Sequence, residues 1–277
     1  MQSRKSKFYP SLQPAHIKIS QNCSEDRLHQ AYLHLAKLIP GFVKTLSTAT
    51  DDELTVYIRK LEKNSNLARG DDISRAKQKL ADLINRSTPT PLPLLEPSSR
   101  SNRGFQHDAT GLRLCPVAPG YNWEDPEVRA KIRNQDPLFP TNKTLLFRGL
   151  YSKFNANPDD IEKGFLRSGE LVILAKILLT SSSSADSYNV DADNILPAKK
   201  MGKVPTKQNV AQILGISEVT PPIIAYVACM YHFALTDASS WDCLYNGFNY
   251  ISLYDTIVDY FTEVVPGTKE LLAWWNK

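Results

Sequence analysis

Cysteine is scarce in this 277-residue chain, and none of its four cysteines stands in a C-x-x-C pair. Cys23, Cys115, Cys229 and Cys243 therefore read as reduced thiols of an intracellular protein, not as a disulfide framework. Long apolar runs are missing too. The two best, residues 171–179 and 223–235, fall short of the roughly 20 residues that cross a bilayer, so no membrane partner is expected. No apolar stretch follows the basic N-terminus, which argues against a secretory leader. The phosphate cradles G-x-x-x-x-G-K and G-x-G-x-x-G are absent, as are H-E-x-x-H and H-x-D. Asn189-x-Asp191-x-Asp193 starts like a calcium loop, but Asn194 replaces the turn glycine and Lys200 stands where a bidentate acid belongs. The sequence thus predicts no cofactor and no metal.

Unbalanced charge is confined to two places. Residues 1–20 hold Arg4, Lys5, Lys7 and Lys18 and no acid. Without those four, the 33 basic residues fall to the number of the 29 acids, so the body of the chain is neutral. Lys199, Lys200, Lys203 and Lys207 form a second basic spot with no acid among them. Both spots suit phosphate contacts or a nuclear address, and both also suit an ordinary solvated segment.

Residues 1–20 read as a disordered basic tail, and residues 21–86 as three amphipathic helices. The first starts at Ser24 and sets Leu28, Ala31, Tyr32, Leu35 and Leu38 on one face. The second opens with the capping box Thr50-Asp51-Asp52-Glu53 and carries Leu54, Tyr57, Ile58 and Leu61. Gly70 is expected to break it from a third, capped by Asp71 or Asp72, which buries Ile73, Ala76, Leu80, Leu83 and Ile84. Pro89, Pro91, Pro93 and Pro97 with a Ser/Arg cluster make residues 87–104 an extended linker.

Residues 105–277 read as a larger helical domain. Asp125 caps a short helix with Pro126 in its first turn, and Ser168 begins a strongly apolar one. Thr220-Pro221 begins another that is apolar all round, the mark of a helix buried on every side. Tyr254, Ile257, Val258 and Phe261 follow helical spacing, as do Leu271, Leu272, Trp274 and Trp275 beyond a stop at Pro266-Gly267. Residues 144–147 carry the best strand signal, and it is weak. The expected class is mainly α, with two buried central helices in the larger domain.

A few polar residues fall outside these patterns. His107, Asp108 and Cys115 share one irregular segment, where a Cys–His nucleophile pair is one reading and an ordered loop with incidental polar groups the other. Lys176 lies inside an apolar helix and must snorkel, pair with an acid or shift its pKa. His232 reads as a hydrogen-bonded residue near the core edge, Cys229 as a small hydrophobe, and the Trp274-Trp275 pair as packing of the last helix.

Several blocks resemble an uncharacterised family found in many copies in mushroom-forming (basidiomycete) fungi. They are Arg69-Gly70-Asp71-Asp72, Arg103-Gly104-Phe105-Gln106-His107, Leu114-Cys115-Pro116 and Trp123-Glu124-Asp125-Pro126. Gly164-Phe165-Leu166-Arg167-Ser168, Val219-Thr220-Pro221, Ile224-Ala225-Tyr226-Val227-Ala228, Phe233-Ala234-Leu235 and Leu271-Leu272-Ala273-Trp274-Trp275-Asn276 follow in order. The resemblance runs from about residue 24 to the end and implies a lineage but no activity, since the family is a domain of unknown function. Ile177 stands where members tend to have histidine, Gln212 and Leu214 where they have arginine and histidine, and His232 where they have arginine.

Three functions compete on this reading. The first is a non-enzymatic protein-interaction or accessory module of the cell interior, nuclear or cytoplasmic, whose partner is another protein. The second is an enzyme with a site around His107, Cys115, Arg167 and Lys176. The third is a weak nucleic-acid binder using Arg4, Lys5, Lys7, Lys199, Lys200, Lys203 and Lys207.

Overall fold

The computed structural model describes residues 16–180, 188–191, 194–197, 209–262 and 266–277, with side chains for 27–180, 209–262 and 267–277. It is mainly helical. The chain divides into two compact units, residues 1–68 and 69–277, and the division falls inside a helix.

The first unit holds α1 (His16–Leu38), α2 (Phe42–Thr48) and the start of α3 (Asp51–Asn85). The capping box forms as the sequence predicts: Thr50 N–H and hydroxyl both donate to Glu53 Oε2 at 2.9 Å. Among the described residues of this unit Phe42 alone is buried. Its ring joins Tyr32 and Tyr57, at centroid distances of 5.9 and 6.3 Å, linking α1 to α3.

Gly70 does not break α3, which runs without interruption for 35 residues. One interior glycine costs only about 1 kcal/mol against alanine. Burial of Ala76, Leu80, Ala81 and Ile84 along one stripe outweighs that cost. Asp72 is not a cap; it accepts from the Tyr226 hydroxyl at 2.6 Å and pairs with Arg75. Residues 87–103 contain no helix, and a short 3-10 turn begins at Gly104; the stretch is nonetheless tied down inside the second unit. The Asn85 side chain donates to Leu95 O and accepts from Leu95 N–H, both at 2.9 Å, and Leu95 is buried.

The rest of the second unit follows as α4 (Asp108–Leu114), α5 (Pro126–Arg133), α6 (Gly169–Leu179), α7 (Val210–Leu214), α8 (Pro221–Leu235), α9 (Tyr250–Thr262) and α10 (Pro266–Trp275). Asp125 caps α5 as predicted, accepting from Glu127 N–H at 2.9 Å. Thr220 and Ser168 occupy the N-cap positions of α8 and α6, but neither hydroxyl makes the capping bond. The apolar α8 is the centre: α9, α6 and α4 all pack on it, and every residue from Val227 to Leu235 is buried.

Strand is confined to two antiparallel hairpins among the described residues. β1 (Tyr188–Asp191) pairs with β2 (Asn194–Pro197), and β3 (Leu244–Tyr245) with β4 (Phe248–Asn249). Asn189 and Asp191 of the calcium-like run therefore sit on a strand. Residues 144–147 contribute only a single bridge, Phe147 to Pro116.

Candidate functional site

The polar chemistry of the second unit is concentrated inside it. At the last turn of α4, Arg113 Nε donates to both oxygens of Glu170 at 3.1 and 2.9 Å, and Nη2 to Oε1 at 2.6 Å. Glu170 lies in the first turn of α6, and its Oε2 also accepts the Tyr231 hydroxyl of α8 at 2.6 Å. Arg113 Nη1 reaches Ala109 O at 2.8 Å, and the guanidinium lies 4.4 Å from the centre of the Phe154 ring. Gly149 permits this approach, since a Cβ there would meet Tyr231 at 2.5 Å. Burial opposes the Arg113 charge, but Glu170 and Tyr231 outweigh it and hold its pKa above the ordinary value. Burial and the Glu170 charge push the Tyr231 phenol well up, so it serves as a donor and not as a base. The arrangement is a closed, bidentate ion pair with its acceptor oxygens taken.

A second cluster surrounds Arg103, which is almost wholly buried. Its nitrogens donate to four carbonyls: Ser99 O at 3.0 Å, Ala234 O at 3.0 Å, Lys77 O at 3.2 Å and Glu96 O at 3.0 Å. One guanidinium thereby joins α3, the proline-rich stretch and the C-terminal end of α8. Lys77 Nζ donates to Ala238 O at 3.3 Å and lies 5.2 Å from the Phe233 ring centre. Burial, with Arg100 and Arg103 nearby, pushes this amine down to about 8 against the opposing pull of Asp237.

His232 is deeper than the core edge the sequence suggests. It stacks on Phe248 at 3.9 Å, meets Phe147 edge-on and shares a 3.0 Å hydrogen bond with the Tyr250 hydroxyl. Burial pushes its pKa down to about 3, so the imidazole is neutral.

Of the four residues considered for an enzyme site, His107 and Cys115 stand at opposite ends of one helix. His107 is the N-cap of α4: Nδ1 accepts from Ala109 N–H at 3.1 Å, which leaves Nε2 to donate to Pro93 O at 2.7 Å. Cys115 lies past the other end of that helix, roughly 12 Å away along the axis at 1.5 Å per residue. It packs with Trp123 and Ile132, and burial pushes its thiol up to about 11, opposite to what a nucleophilic cysteine needs. Arg167 lies over Trp274 at 5.4 Å. Lys176 is two turns into α6 and only partly buried. Arg4, Lys5, Lys7, Lys199, Lys200, Lys203 and Lys207 lie outside the described residues. Among the described residues, no three His, Cys, Asp or Glu side chains are placed to hold a metal ion, and no helix is long and apolar enough to cross a membrane.

The residues with the strongest buried chemistry, Arg103, Arg113 and Glu170, escape sequence reading. The available signal is a charge at an inward position: Lys77 falls on the stripe of Ile73, Ala76 and Leu80, and Glu170 opens an otherwise apolar helix.

The blocks behind the family resemblance meet one another in space. Asp72 binds Tyr226, and Arg103 binds Ala234 O. Trp275 Nε1 donates to Leu166 O at 3.0 Å, and Asn276 brackets Val219, accepting from its N–H at 2.7 Å and donating to its carbonyl at 3.0 Å. Ile177 is buried beside Ile173 and Leu83, and Gln212 closes a capping box with Asn209. Residues 63–277 match a family described as "Family of unknown function (DUF6698)". No curated protein and no solved structure matches the chain.

Proposed function

The chain belongs to the DUF6698 family of unknown function, and we propose that it is a non-enzymatic protein-interaction or accessory module acting through its N-terminal helices. The observation that carries this reading is their apolar exposure. Leu28 is 68% exposed, Leu38 49%, Val43 48% and Leu67 59%, beside exposed Tyr32, Leu35 and Ile58. Apolar surface at helical spacing with no interior to fill favours a partner helix or groove. The polar groups of the second unit support the same reading, because Arg113, Glu170 and Arg103 are saturated by one another or by backbone carbonyls. An enzyme using His107 and Cys115 is disfavoured by their separation and by the raised thiol pKa. Free Cys115, Cys229 and Cys243 support an intracellular home, and the order of the sequence blocks supports a basidiomycete, multi-copy lineage.

Crosslinking of the full-length chain in a basidiomycete extract tests the proposal. Crosslinks to another protein should map to residues 28–67 and disappear in a Leu28→Ser, Leu35→Ser, Leu38→Ser variant. Crosslinks that survive those substitutions, or that map only to residues 69–277, overturn it. The nucleic-acid alternative would instead show salt-dependent binding that is lost when Lys199, Lys200, Lys203 and Lys207 are neutralised.

A further inference from the structure

We propose that two copies of this chain pair antiparallel through the first turns of α3, about a twofold axis at Val56. This deepens the interaction reading, on which it rests, by naming the partner of one part of that surface. Residues three and four apart on a helix share a face, so Asp52, Glu53, Val56, Arg59 and Lys60 lie side by side along α3. All five are exposed. The acids stand four and three residues before Val56, and the bases three and four after it. Read backwards, the face is the same with its charges exchanged.

A twofold contact sets residue i of one copy against j of the other, and j against i. Residues seven apart share one flank of the helix, so with Val56 on the axis Asp52 faces Arg59 of the second copy and Glu53 faces its Lys60. Symmetry doubles both, so four opposite-charge pairs flank one apolar centre. Each charge sits about 4.5–6 Å along the helix from the axis, at 1.5 Å per residue. Parallel pairing would set acid on acid and base on base, so charge alone selects the antiparallel arrangement. A foreign helix of one sign would match only half of the face, whereas a second copy matches all of it. Glu53 Oε2 is already fixed by Thr50, which orders the acidic end without neutralising it. A face about three turns long is well under the size of a standard interface. The dimer is therefore weak, concentration-dependent and sensitive to salt.

Sedimentation equilibrium on the full-length chain reads this directly. At about 0.05 M salt the chain should show monomer–dimer association, weakened about tenfold or more at about 1 M. Arg59→Glu and Asp52→Lys each place like charges across the axis and leave the Thr50–Glu53 capping box intact. Either variant alone should be monomeric, and an equal mixture should recover association, because each variant then complements the other. Far-UV circular dichroism confirms that both keep their helices. Association indifferent to either swap, or no recovery on mixing, overturns the pairing. A wild-type chain that stays monomeric yet crosslinks through residues 28–67 to a different protein overturns the pairing and leaves the interaction reading intact.

Discussion

Burying the Glu170 carboxylate sacrifices several kcal/mol of hydration, which the Arg113 and Tyr231 donors offset. Removing one charge strands the other. Glu170→Gln should therefore destabilise the protein by about 3–5 kcal/mol in denaturant unfolding, because Arg113 stays charged with no counter-ion. The triple replacement Arg113→Met, Glu170→Leu, Tyr231→Phe should recover most of that loss, since no uncompensated polar group remains. A triple variant as unstable as Glu170→Gln would mean that the cluster contributes more than mutual compensation. His232 supplies a separate, pH-dependent effect. Its folded pKa is about 3, against an ordinary value of 6.5. As pH falls from 6.5 towards 3 the unfolded chain takes up a proton that the native core refuses, so stability is lost across that window. By pH 4.5 the loss from this residue is about 2–3 kcal/mol. Denaturant titrations at pH 7 and 4.5 on wild type and His232→Phe should show that the variant loses less stability on acidification. Equal losses would place the acid sensitivity elsewhere.

At the scale of elements, the legible parts of the chain are those whose signals are local. The Thr50–Glu53 box and the Asp125 cap with Pro126 behind it form as read. The apolar runs of α6 and α8 become buried helices in contact. What local reading misplaces is decided by tertiary packing or lacks periodicity. The seven-residue α2 and the two-residue strands β3 and β4 are too short to show a repeat. Gly70 is the clearest case, because a stop signal is overridden by the stripe that the same helix buries from Ala76 onward. That continuity is testable. A Cβ at Gly70 would meet nothing within 4 Å, and its φ is not in the left-handed region. Gly70→Ala should therefore raise stability by about 0.5–1 kcal/mol. A helix that truly stopped there would use Gly70 in the left-handed conformation, and the same substitution would lower stability. The sign of the change in the denaturation midpoint separates the two.

For the whole molecule, the helical class and membership of a family of unknown function are legible in the sequence, while the buried polar clusters are not, because their members are far apart along the chain. Arg113 and Glu170 are 57 positions apart, and Glu170 and Tyr231 a further 61. No local pattern joins such residues. The recognised blocks also join distant segments of one unit: Asp72 with Tyr226, Arg103 with Ala234, Leu166 with Trp275 and Val219 with Asn276. Those ties all lie within residues 69–277, as do the buried stripe of α3 and the packing of α8. The N-terminal unit, with Phe42 its single buried residue among those described, adds little apolar burial. The two units should therefore differ sharply in stability. A chain beginning at residue 63, where the family match begins, should unfold cooperatively within a few degrees of the full-length protein. Loss of the cooperative transition on that truncation would show that the N-terminal helices belong to the folding core. Retention of the transition, with loss of both self-association and crosslinked partners, would locate the interaction surface in the helices that the truncation removes.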